Sequence, residues 1–231
     1  MKINNKIEII APAYHADDDQ ITLHEIKQFF HQNNFEYSYH EKFLAKNSFG
    51  KLAAEKAIRV EGIKRAFENM DSTIIWSYSG GYGCTELINE IINLKPNFPK
   101  LLIGFSDITA LHLLFNQHLN LPSIHGPPLR TLVSSQSTMK HKILNVLNGK
   151  DNSLKLEPIN NSAKLQENYK INGELTGGNL TVYTHMIGTK LHPVTKNKIL
   201  IFEDVNEKSY AIHRNLVHLA NADIFNDVKA I

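Results

Sequence analysis

One cysteine and one tryptophan occur in 231 residues, and the single cysteine excludes an internal disulfide framework, as suits a reducing compartment. No run of apolar residues approaches the length that crosses a bilayer. The apolar core of the first residues, MKINNKIEIIAPAYHADDD, is too short for a secretory signal. Lysine and arginine are spread without a basic block, and the formal charge of +2 is near balance, so neither nucleic acid nor an anionic membrane is indicated as a partner. There is no Gly-Lys-Ser/Thr Walker ending, no G-x-G-x-x-G and no H-E-x-x-H, and one cysteine cannot build a thiolate metal site. No cofactor or metal is therefore expected. What remains is a soluble, cytoplasmic globular protein.

The conspicuous stretch is Thr73–Ile92, TIIWSYSGGYGCTELINEII. A β-branched run breaks at Gly80-Gly81-Tyr82-Gly83 and resumes with Leu87, Ile88, Ile91 and Ile92 on one helical face, the parts of a nucleophile elbow. Cys84 stands at the expected crest, where a helix N-terminus would favour its thiolate and free N–H groups could hold an oxyanion. Two other readings stand beside this one: a small buried apolar cysteine and a phosphate-holding turn.

Around that stretch the chain alternates short apolar strands (Lys6–Ile10, Phe35–Tyr39, Lys100–Phe105, Leu121–His125) with helical periodicity, notably over Leu52–Met70 and Ile108–His118. This predicts an α/β unit with a mainly parallel sheet and ligands at the carboxyl ends of its strands. Asp17, Asp18 and Asp19 are placed to open the first helix, and Ser106-Asp107 to cap a later one. Residues 1–130 read as this first domain, 131–169 as a helix (Ser134–Asn148) and polar linker, and 170–231 as a second, incomplete unit. In that unit Gly177-Gly178-Asn179 reads as another glycine turn, Lys198–Phe202 as a strand, and Tyr210–Leu219 as a helix. Of the twelve histidines, His125, His213 and His218 are candidates for a base, with nothing in their spacing to favour one.

Gly80-Gly81-Tyr82-Gly83, Gly104-Phe105-Ser106-Asp107-Ile108-Thr109, His125-Gly126-Pro127, Gly177-Gly178-Asn179-Leu180, Ile187-Gly188-Thr189 and Phe202-Glu203-Asp204-Val205 come in an order that resembles the LD-carboxypeptidases, the murein tetrapeptide carboxypeptidases and microcin C immunity peptidases among them. The resemblance implies a flavodoxin-like N-terminal domain joined to a smaller, β-rich swivelling domain, here truncated, with the site between them. It implies a Ser–Glu–His triad in which Cys84 takes the serine's position and Glu203 orients the histidine, with the backbone N–H groups of Gly81 and Thr85 as oxyanion donors. It implies release of the terminal D-alanine of murein tetrapeptide in peptidoglycan recycling, and homodimers. The family's Gly-His motif has no match in this sequence. With serine replaced and the base missing, impaired hydrolysis is expected, or a catalytically inactive, peptide-binding member. Truncation would leave apolar surface and a sheet edge exposed in the second unit.

Overall fold

The computed structural model describes residues 3–15, 19–45, 51–150, 153 and 170–231. Its first unit is a five-stranded, all-parallel sheet: β1 (Lys6–Ile10), β2 (Glu36–Tyr39), β3 (Ile74–Ser77), β4 (Leu101–Gly104) and β5 (Ser123–His125). The order β2-β1-β3-β4-β5 is the flavodoxin-like winding. Strands β3 and β4 are buried at every position, as parallel strands covered on both faces must be.

On one face α1 (Asp19–Gln32) buries Ile26, Phe29 and Phe30 against Trp76 and Ile103. Asp17 and Asp18, read as helix openers, lie outside the described residues. On the other face α2 (Lys56–Glu68), α3 (Ile88–Ile91) and α4 (Thr109–Leu113) bury Val60, Ile63, Phe67, Ile91 and Leu111. α2 is shorter than its periodicity suggested, and Met70 is exposed beyond it. After Pro128, helix α5 (Leu129–Ser134) was not anticipated, because Gly126-Pro127-Pro128 reads as a break. Proline just ahead of a first turn is nonetheless compatible with a helix start. α5 and α6 (Ser137–Leu147) bury Leu129, Leu132 and Ile143 with the sheet's core.

The second unit contains two parallel strands, β6 (Glu174–Asn179) and β7 (Lys198–Glu203), and two helices, α7 (Leu180–His185) and α8 (Ser209–Asn221). Gly177 and Gly178, read as a turn, lie inside β6 at φ +130° and +119°. Their missing side chains allow close backbone approach rather than a reversal. Tyr183, Met186, Leu200 and Leu219 are buried in the same cluster as Val60 and Leu111, so the described part of this unit shares a continuous core with α2 and α4. Its outer side leaves Ile201, Leu216, Val217 and Ile231 exposed. Beyond α8 the segment Ile224–Ile231 adds one parallel bridge to the sheet, Ala230 to Ile199. Left-handed backbone stands just before this segment at Asp223 and breaks it at Asp227. Among the described residues no helix is long and apolar enough to cross a membrane.

Candidate active site

The carboxyl ends of β3, β4, β5 and β7 bring together the segments singled out in the sequence, but Cys84 is not at the exposed crest expected of it. Seven residues separate Ser77 from the helical turn that begins at Thr85. That is a loop rather than a sharp elbow, and Cys84, at its far end, is fully buried beside Leu87 and Ile88. Burial and then the neighbouring Asp107 carboxylate push the thiol well above its ordinary range, Arg59 opposing weakly. A thiol held protonated in a core is a poor nucleophile. The expectation of an exposed Cys84 is therefore corrected. Its N–H is also taken, donating to Asp107 Oδ2 at 2.7 Å. Thr85 lies behind it, half-buried in the 3₁₀ turn Thr85–Leu87.

The sharp turn is one strand over. A single residue, Phe105, separates the end of β4 from Ser106, which opens the 3₁₀ turn Ser106–Ile108 leading into α4. Ser106 has φ +59°. Every other non-glycine residue at positive φ among the described ones is Asn or Asp, the residues that tolerate the left-handed region. A serine held there, on a strand-to-helix turn, is the strained geometry of a nucleophile elbow. The packing requires it to be tight: a Cβ on Gly104 would meet Ser77 Oγ at 2.5 Å and Ile108 Cγ1 at 2.8 Å. Ser106 is half-buried and therefore reachable. Gly80 lies over it, where an added Cβ would come within 3.0 Å of Ser106 Cβ and 3.4 Å of its Oγ. Gly81, next in the turn, is exposed at φ +114° against the Tyr14 ring.

Asp107, expected as a cap for its own helix, instead reaches across to the Cys84 N–H. Burial raises its carboxyl above the ordinary range, while that N–H and Arg59 pull the other way. It ties the elbow to the glycine-rich loop.

The second unit arrives through its glycines. A Cβ on Gly178 would fall 2.6 Å from Thr109 Oγ1 and 3.3 Å from His125 Nδ1. The Asn179 N–H donates to Thr109 Oγ1 at 2.9 Å. Asn179 Oδ1 caps α7 by accepting the Val182 N–H, and its Nδ2 donates to Asp204 Oδ1 at 3.0 Å. Glu203 is thereby set at the end of β7, and its Oε1 lies 3.4 Å from His125 Nε2. Partial burial holds the His125 imidazole below its ordinary range, and the Glu203 charge offsets part of that. His125 thus meets Glu203. His213 and His218 sit on α8.

Behind β4, His112 is buried and its Nε2–H donates to Gly104 O at 2.8 Å. Burial brings its pKa down to about 4 from 6.5. Because the folded value is depressed, the unfolded chain takes up the proton first. Stability is then complete above about pH 6.5 and falls toward pH 4, by about 3 kcal/mol in all. Urea unfolding of the wild type and His112→Gln at pH 7 and pH 4.5 should show the variant losing about 2 kcal/mol less on acidification. Other titrating groups are common to both proteins and cancel; equal losses would exclude this role for His112.

Residues 7–126 match the LD-carboxypeptidase N-terminal domain, and residues 172–231 match the C-terminal domain of the same family. A Rickettsia conorii protein assigned as a carboxypeptidase is 36% identical over 234 residues, covering 99% of this chain and 72% of its own length. The murein tetrapeptide carboxypeptidase of Pseudomonas aeruginosa is 31% identical over 233 residues, with 94% and 72% covered. Among solved structures, the muramoyltetrapeptide carboxypeptidase of Oxalobacter formigenes superposes with TM-score 0.78 at 25% identity, covering 97% of this chain and 74% of that one. The microcin C7 self-immunity protein in complex with aspartyl sulfamoyl adenosine shares the fold, with TM-score 0.78 at 21% identity and coverage of 100% and 77%. Matched across both of its domains, and over most of the length of these relatives, the chain belongs to the LD-carboxypeptidase family of peptidases.

Proposed function

We propose that the site is a serine-type LD-carboxypeptidase centre with Ser106, not Cys84, as nucleophile, acting on murein tetrapeptide in cytoplasmic peptidoglycan recycling. The observation that carries this is the left-handed backbone of Ser106 on the turn leaving β4. In this reading Ser106 Oγ attacks the carbonyl carbon of the bond to the terminal D-alanine. The C–N bond breaks, the amine leaves with the proton that Ser106 Oγ gives up, and water hydrolyses the resulting acyl-serine ester. The N–H groups of Asp107, next after the nucleophile, and Gly81, in the overlying turn, face the developing oxyanion. Glu203 is the carboxylate that orients an imidazole, and the one it meets among the described residues is His125. The names of the Pseudomonas and Oxalobacter relatives support the murein peptide as substrate.

A second reading, peptide binding without turnover, is favoured by one observation. Among the bonds of the described residues, the imidazole that Glu203 meets is His125, and none joins an imidazole to Ser106. Incubating the chain with murein tetrapeptide, and measuring free D-alanine alongside calorimetric binding, separates the two. Release above the uncatalysed background supports the peptidase; binding with no release supports the second reading; neither would sink both.

A further inference from the structure

Arg59 lies in the first turn of α2 with its guanidinium only 1% exposed. A buried charge of this kind needs its donors satisfied, and the partners of Arg59 all lie outside its own helix. Nε donates to Ala54 O at 3.0 Å, Nη1 to Pro12 O at 2.8 Å and to Gly83 O at 3.1 Å, and Nη2 pairs with Glu86 Oε1. The fork therefore joins the segment after β1, the approach to α2 and both sides of Cys84. Gly83, at φ +134°, has no room for a side chain, since a Cβ would stand 2.7 Å from Nη1. The guanidinium occupies the space that glycine leaves.

Between those two anchors, at Gly83 and Glu86, the Cys84 N–H is held by Asp107, the residue after Ser106. The glycine loop is thus fixed from below by Arg59 and from the side by the elbow itself. Its other end carries Gly80, packed on Ser106. We infer that Arg59 is a positioning residue for the reaction: its guanidinium sets the height of the Gly80–Gly83 turn over Ser106, and with it the oxyanion donors. This rests on the reading of Ser106 as nucleophile. Displacements of about 1 Å at a reacting centre cost on the order of 100-fold in rate. Lysine cannot reproduce the role, because one ammonium cannot reach Pro12, Ala54, Gly83 and Glu86 in the planar fork that arginine provides.

The test uses Arg59→Lys, which retains a cation for Glu86, and the double variant Arg59→Met/Glu86→Gln, which removes both charges and so leaves neither unpaired. Two measurements are made on each: kcat and KM for D-alanine release, and hydrogen exchange of the Cys84 amide. We expect kcat to fall roughly 10- to 100-fold with KM within about threefold, and Cys84 exchange to speed up while the β1 and β3 amides keep their protection. A role in stability alone would leave kcat unchanged in whatever fraction remains folded. Unchanged Cys84 exchange in both variants, or a kcat within about threefold of wild type, overturns the inference while leaving the site intact. Wild-type release that does not depend on Ser106, or no release at all, instead overturns the reading of the site and takes this role of Arg59 with it.

Discussion

Ser106→Ala is expected to reduce D-alanine release from murein tetrapeptide to background, a loss of about 10³-fold or more, whereas Cys84→Ala leaves kcat within about threefold. The two substitutions separate because the side chains do different work. Ser106 is accessible on a turn whose left-handed backbone only tertiary packing maintains. Cys84 fills space between Leu87, Ile88 and the sheet, with its sulfur protonated. Loss of that sulfur should appear as about 1–2 kcal/mol of stability in urea unfolding. Cys84→Ser, which buries a hydroxyl without changing shape, should cost a similar amount. If release follows Cys84 and is indifferent to Ser106, the assignment of the nucleophile is wrong.

A second large effect is expected at Gly177. A Cβ there would fall well inside van der Waals contact of the Ile201 carbonyl oxygen, the residue paired with Gly177 across β6 and β7. The residue also sits at φ +130°, where L side chains are strained by roughly 1–3 kcal/mol before any clash is counted. Gly177→Ala should therefore destabilise the β6–β7 pair by about 4 kcal/mol. The contact between Glu203 and His125 should be lost with it, because Asn179 and Asp204 hold the end of both strands. Gly149 provides the control. It too has positive φ, but a Cβ there meets nothing within 4 Å, so Gly149→Ala should cost only about 1 kcal/mol. Hydrogen exchange over residues 174–179 and 198–203 would report the difference, and equal effects at the two glycines would refute the argument.

The glycines also show how far the sequence could be read. Continuous apolar strands such as KLLIGF and TIIW made a buried parallel sheet legible, since both faces must be covered. Lys6–Ile10 was legible as a strand too, but not why Glu8 can be buried in it: its carboxylate meets Arg65, on α2, at 3.0 Å. Position 203 was singled out through the resemblance, on the Phe202-Glu203-Asp204-Val205 motif that closes an apolar strand. Ser106 was in plain view within Gly-Phe-Ser-Asp. Nothing local announces a serine at positive φ, and three nearby glycines drew the elbow to Cys84 instead. Gly177-Gly178 misled in the opposite sense: paired glycines usually mark reversals, yet here they thin a strand, Gly177 against the Ile201 backbone and Gly178 where Thr109 and His125 approach. Arg59 was invisible because its partners lie from five to 47 positions away.

The lone tryptophan has an experimental consequence. Trp76 is fully enclosed in β3, its Nε1–H donating to Pro127 O at 2.9 Å, and no second indole exists elsewhere to mix with its signal. Its emission is thus a native spectroscopic label confined to the flavodoxin-like lobe. Comparing that emission with far-UV dichroism during denaturation asks directly whether the lobe bearing Glu203 melts together with the lobe bearing Ser106, since a lag between the two curves would expose a partly unfolded species.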